Sequence, residues 1–530
     1  MKKTITIFII LTILLTIIYA PKVLATTSYK VELTDTEITV NDGVISNNST
    51  DAIYLANQMN NGGISENSKE ANVAIANVIN ITSSGTYIFS GRLSNGQIAI
   101  NTNNIQGEVE IVLDNAQITC EDAPAIFVYN TTTNSENCTV KIKTTANSTN
   151  TITGARLKQS IEGWSDQSSI LYYIEKGYDD DDGSYYERYK YDGAISSDIS
   201  LILEGEGTLT INGTKKEGIE TKRNLTINSG EYIINSQDDG INACTDNESV
   251  ITINGGSILI NLQDGAEEGD GIDSNGSLYI NGGEVYAFAS EKSQDSGLDS
   301  DKGIYINGGS VVGIGNMADE VSNESKQSFM QLQFASAVSE NETITITDEN
   351  KNPITAFETD RSYTVLVISV PEMENGTYYV YKGGTLQGIS QNGLYTTITS
   401  YTEGTQQEWS GNGAGMGGGM KPDVMMQGKM AVPEGAEMGQ SQMAMPEGME
   451  MGQAPEIPSS NVAITNGEAQ VEFTITDTQH SFAGVTNEGT TISMQNVNNT
   501  STTVYGYTLL VIGIIMLIVV LAGIVIKYRK

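Results

Sequence analysis

The chain has 530 residues, several domains' worth at about 150 residues each, although all-β folds often exceed that length as one body. Its 65 Asp and Glu against 28 Lys and Arg give a net charge of −37, which repels DNA and anionic surfaces and excludes a nucleic-acid role. One histidine, His480, and three cysteines rule out Ser-His-Asp triads, His-ligated zinc and a closed four-cysteine zinc site.

In chain order, Lys2 and Lys3 precede an apolar run at residues 5–19, and Val23-Leu24-Ala25 supplies small residues for cleavage. Residues 1–25 are therefore predicted to be a secretory signal peptide, with the mature chain starting near Thr26. Residues 26–79 follow as an N-terminal cap region.

A repeat dominates residues 80–340. Leu225-Thr226-Ile227-Asn228, Ile251-Thr252-Ile253-Asn254, Leu278-Tyr279-Ile280-Asn281 and Ile304-Tyr305-Ile306-Asn307 are copies of one phrase, their Asn residues 26, 27 and 26 apart by subtraction. Aliphatics alternate with Thr or Tyr, the period of a strand with one buried face, and the Gly-rich step after each Asn turns the chain. A second short strand follows, such as Ser257-Ile258-Leu259-Ile260. Then comes a shared acidic phrase: Glu217-Gly218-Ile219-Glu220, Asp239-Gly240-Ile241-Asn242, Asp270-Gly271-Ile272-Asp273 and Ser296-Gly297-Leu298-Asp299. Three strands and three turns per repeat predict an all-β fold, a right-handed parallel β-helix (solenoid) with a β-rich C-terminal cap.

Residues 164–191 interrupt the repeat with a Tyr- and Asp-rich stretch that predicts a protruding hairpin. Strand-like text with different spacing at 341–405 predicts the cap over the solenoid's open end. Residues 406–460 then hold five of the nine prolines and ten methionines amid glycine, a low-complexity spacer that cannot bury a core. Thioethers are soft Cu(I) ligands, but no His or Cys accompanies them. Residues 461–507 are expected to return strands to the cap, with His480 on its surface, and to lead into a juxtamembrane stalk. Residues 508–526 are apolar enough for one C-terminal transmembrane helix, and the basic tail at 527–530 orients it with the bulk of the chain extracellular. The lipid bilayer is accordingly an expected partner. Such an exterior permits a bridge between Cys120 and Cys138, leaving Cys244; the alternative is three small buried apolar cysteines.

These phrases, with Asp114-Asn115-Ala116-Gln117-Ile118, Gly383-Gly384 and Gly393-Leu394-Tyr395, resemble the clostridial carbohydrate-binding β-solenoid family over roughly residues 80–400. The resemblance implies a pectate-lyase-like fold, binding of cellulose or acidic sugars, and bound calcium, without established catalysis. The Tyr-rich insertion, the Met-rich segment and the membrane helix depart from it.

Stacked acidic phrases pose an electrostatic problem. Carboxylates repeated about 5 Å apart repel one another by roughly a kcal/mol per pair even near water. Ca²⁺ accepts six to eight oxygens in irregular geometry, so Glu220, Asp239, Asp270, Asp273, Asp299 and Asp301 are its candidate ligands. A solvated acidic face is the alternative. Sugar rings need aromatic faces, and Trp164, Tyr172, Tyr185, Tyr189, Tyr279 and Tyr305 are the candidate platform. For a calcium-dependent polysaccharide lyase, the rival to plain polysaccharide binding, Arg223 and Lys222 are the only weak candidates for a base. A surface adhesin or stalk with protein partners is a third expectation.

Overall fold

The computed structural model describes residues 27–56, 77–130, 137–155, 157–160, 174–179, 184–263, 265–374, 376–406, 473–475, 481–485 and 492–493. The signal-peptide segment, Trp164, Tyr172, His480, nearly all of the Met-rich spacer and the 508–526 segment lie outside the described residues. The chain divides into two compact units, residues 1–276 and 277–530.

In the first unit the alternating phrases form strands that pair in parallel with their counterparts one repeat away. Leu201, Leu225 and Ile251 lie in register, as do Leu203, Ile227 and Ile253, and all six side chains are buried. A second column stacks Leu209, Tyr232 and Ile258, with Ile211, Ile234 and Ile260 beside them. Three-residue strands build a third column on a separate sheet, where Ile126, Ile195, Ile219, Ile241 and Ile272 share one register. Parallel strands stand about 4.8 Å apart, so each column is a continuous apolar ladder, aliphatic but for Tyr232. Amide ladders mark the turns: Asn254 Nδ2 donates to Asn228 Oδ1 (3.0 Å), and Asn235 Nδ2 donates to Asn212 Oδ1 (2.9 Å). At the turn, Gly256 (φ 94°) overlies Gly230 (φ 110°), and a Cβ on the former would press on the latter's backbone.

This connectivity corrects the expected open right-handed β-helix. Strand Gly107–Thr119 runs straight through the place of a coil corner. Its first half pairs with Cys138–Thr144 (Val109↔Val140, Ile111↔Ile142) and its last residues with Thr149–Gly154 (Ile118↔Ile152). Strand Gly85–Leu93 does the same beside it, with a register shift between Phe89 and Gly91. Two of the expected solenoid faces are thereby one large, mostly parallel sheet that closes into a near-barrel. The physical reason lies at Asn115. It takes the left-handed conformation (φ 59°), while the next amide, Ala116 N–H, donates to Asn150 Oδ1 (2.9 Å), so the chain bends without leaving the sheet.

The Tyr-rich insertion forms a three-stranded antiparallel sheet of Leu157–Ser160, Ser184–Tyr191 and Ile174–Asp179. No disulfide joins Cys120, Cys138 or Cys244; burial pushes the Cys120 and Cys138 thiols up to about 11, as expected of inert core residues.

The second unit begins with two more copies of the phrase, Leu278↔Ile304 and Ile280↔Ile306, in parallel register. Direction then reverses. Tyr363–Ser369 pairs antiparallel with both Ser310–Gly315 and Phe329–Val338. A seven-stranded sheet follows, built around Ile344–Asp348, Pro353–Phe357 and Gly376–Lys382, with Phe473–Ile475 pairing on Gly376–Lys382.

No helix among the described residues is long and apolar enough to cross a membrane, and the segment expected to do so, residues 508–526, lies outside them.

Ile253→Ala, which opens a gap in the first ladder, is expected to lower stability by about 2–5 kcal/mol in urea unfolding. Thr252→Ala, on the opposite face of the same strand, is expected to change it by less than about 0.5 kcal/mol.

Candidate functional site

The middle residues of the three-residue strands, Ser196, Glu220, Asn242 and Asp273, lie in one register on the face away from the aliphatic ladder. Two different arrangements neutralise the acids along this column and beside it.

At Glu220 the counter-charge is internal. Lys222 Nζ sits 2.5 Å from Glu220 Oε1, while Oε2 accepts from Asp192 N–H (2.8 Å) and Ser196 Oγ (3.2 Å). Glu220 is 1 % exposed and Lys222 7 %. Burial alone would depress the Lys222 ammonium, but the Glu220 carboxylate, helped by Cys244 and Asp198, outweighs it and holds the lysine protonated. Its Nζ also lies 5.2 Å from the Tyr191 ring centre. A lysine locked as a cation is a poor base. Beside it, buried Asp198 accepts from Asn130 N–H (2.9 Å) and from Tyr191 OH (3.5 Å). Burial raises its carboxyl to about 7, against the opposing pull of the Asn130 hydrogen bond and the Lys222 charge.

Sequence reasoning missed Asp198. The signal was present: Ser197 pairs with Thr221, so the next residues, Asp198 and Lys222, occupy equivalent places one repeat apart.

At the other end of the column the carboxylates face one another. Asp270, Asp273 and Asp299 each offer an oxygen, and these atoms lie within 4.8 Å of one another. Asp270 and Asp299 are buried and Asp273 is half-buried. Such a group of hard oxygen donors is able to chelate a metal ion. Asp239 supports it from behind: its Oδ1 accepts from Asp270 N–H (2.8 Å) and its Oδ2 from Asn242 Nδ2 (2.6 Å). Asp301 is exposed and outside the group. Asp319, also missed, adds to the local charge problem. Burial, followed by repulsion from Asp299, raises its carboxyl to about 7.

Arg223 is half-exposed, with Nη1 3.4 Å from Glu248 Oε2, on the wall of a polar cavity of about 720 Å³. Thr139, Ser200, Asn224 and Thr226 share that wall. Asn224 Oδ1 is engaged by Val250 N–H (2.9 Å), which orients the side chain.

Of the aromatic candidates, Tyr279 and Tyr305 stack with ring centres 4.7 Å apart and planes 13° from parallel. Each ring therefore covers one face of the other. Tyr185 and Tyr189 lie on strand Ser184–Tyr191 of the insertion sheet, opposite Tyr178 and Ile174.

An all-β protein with a large parallel sheet, a carboxylate group suited to a hard cation, a polar cavity and a surface aromatic pair has the features of a carbohydrate binder. Residues 76–365, more than half of the chain, match the profile of the carbohydrate-binding domain-containing protein family, and the chain belongs to that family. Among solved structures, a polysaccharide lyase-like protein from C. thermocellum, determined as a gadolinium derivative, is similar at 19% identity over 53% of this chain and 93% of its own, with a TM-score of 0.30. No curated protein matches. Membership in this family replaces the β-solenoid family expected from the sequence, whose open coil the closed sheet contradicts.

The native state keeps the Asp198 proton up to about pH 7, whereas the unfolded chain releases it near the ordinary 3.8. Stability linked to this group is thus fully present below the unfolded value and is lost as pH rises through the folded one. Melting temperatures followed from about pH 4 to about pH 8 are expected to fall less steeply in Asp198→Asn than in the parent chain.

Proposed function

We propose that this chain is an extracellular protein that binds polysaccharide, cellulose or an acidic glycan, and that the Asp270, Asp273 and Asp299 group holds the calcium ion that makes its surface compatible with such a ligand. The family match over residues 76–365 carries the proposal, since that span contains the parallel sheet, the carboxylate group, the Arg223 cavity and the Tyr279–Tyr305 pair.

Charge supplies the physical support. A chain of net charge −37 repels a polyuronate, and a divalent ion among three carboxylates cancels most of their charge locally while remaining able to take further oxygens. Calcium is favoured over magnesium because carboxylates from a loop (Asp270) and from strands (Asp273, Asp299) give irregular geometry, which calcium tolerates. Arg223 adds a planar guanidinium able to take a sugar carboxylate in place of Glu248, whose exposed contact is worth at most about 1 kcal/mol. Hydroxyl and amide groups along the same wall suit sugar hydroxyls. The free edges and outer faces of Tyr279 and Tyr305 offer further apolar contact. Lys222, held as a cation by Glu220, lends no support to cleavage.

Isothermal titration of the protein with polygalacturonate and with cello-oligosaccharides, in calcium and then in chelator, tests this function. Binding to at least one glycan is expected, and Asp273→Asn should weaken the calcium-dependent component by about tenfold or more. Affinity unchanged by chelator would remove the metal, and no affinity for any glycan would remove the function. Release of ultraviolet-absorbing unsaturated uronides would replace binding with lyase chemistry.

A further inference from the structure

The second unit carries a hairpin that its own sheet does not cover. Strands Thr385–Gln391 and Leu394–Thr402 are joined at Asn392 (φ 47°) and Gly393 (φ 85°), the left-handed pair of a tight hairpin turn. In Thr385–Gln391 every residue but Leu386 is exposed, so both faces of the strand meet solvent. Ile389, 67 % exposed, is one of two large hydrophobic side chains exposed to this degree among the described residues. Among the described residues the strand is terminal in the seven-stranded sheet and its backbone ladder is with Leu394–Thr402, while at its end Gln391 Nε2 donates to Glu284 Oε2 (2.5 Å).

Edge strands of this kind are ordinarily protected by charge, proline or a bulge. Residues 385–402 contain no charged residue and no proline. The two register shifts place the extra residues, Thr399 and Thr396, in the inner strand, leaving the outer one continuous. The inner strand is anchored at its start by Pro353–Phe357 (Ala356↔Tyr395, Phe357↔Leu394), and the outer strand is the edge of that sheet.

We propose that Thr385–Gln391 pairs antiparallel with the same strand of a second copy of this chain, closing two hairpins into one four-stranded sheet. Charge selects this occupant. Two chains of net charge −37 repel over most of their surfaces, yet here 18 consecutive residues are neutral. Seven strand residues extend about 24 Å, well beyond the roughly 8 Å Debye length at physiological salt, so flanking charges are largely screened along the edge. Antiparallel pairing of one strand with itself satisfies two-fold symmetry, in which the same patch serves both subunits.

Sedimentation velocity of the full chain over a range of concentrations should show a monomer–dimer equilibrium. Ile389→Lys puts like charges across the two-fold and should weaken the dimer by about tenfold or more with little change in melting temperature. Val44→Lys, at the other exposed aliphatic, should leave it intact. A strictly monomeric parent chain would overturn the proposal, as would a dimer indifferent to Ile389→Lys. A monomer whose glycan affinity falls in Ile389→Lys would assign the hairpin to carbohydrate instead and equally overturn it.

Discussion

In-register stacking of equivalent residues about 4.8 Å apart governs this molecule, because it brings each side chain against its own counterpart in the next strand. For aliphatics the result is favourable: Leu201, Leu225 and Ile251 form a dry ladder without further specification. For amides it is also favourable, since each Asn both donates and accepts, as Asn254 and Asn228 do. For carboxylates it is unfavourable, and every acidic residue that stacking places near another needs a donor, a counter-charge or a cation.

The acids of this chain fall into two arrangements. At Glu220 the balance is struck inside the chain. Lys222 supplies the charge, Ser196 and the Asp192 amide supply the remaining hydrogen bonds, and the result is a closed ionic cluster inaccessible to ligand. Removing one partner from such a buried pair leaves an uncompensated charge, which makes the cluster a structural commitment. At Asp270, Asp273 and Asp299 three acidic oxygens converge instead. The Arg223 guanidinium, exposed and 3.4 Å from Glu248, lines a polar cavity in the first unit.

The tyrosines illustrate a related constraint. Stacking places Tyr279 on Tyr305, which stabilises the pair but occupies the ring faces a sugar would use. Aromatic residues that recur at the repeat period thus cover part of each other's surface.

The repeat by itself determined the strands, their parallel pairing and the ladders. A period-2 pattern selects the buried face locally, and a constant repeat length sets which residues meet. The acidic column was legible for the same reason, Glu220, Asn242 and Asp273 being equivalent positions in successive phrases. Only the tertiary structure decided whether a corner breaks the sheet or bends within it. At Asn115 that outcome depends on a left-handed backbone and on an amide partner, Asn150, that is 35 positions later in the chain. The tertiary structure also decided which acids meet a lysine and which meet each other. Glu220 and Lys222 pair two residues apart, and Asp198 joins them from the end of the neighbouring strand, where burial amplifies every charge.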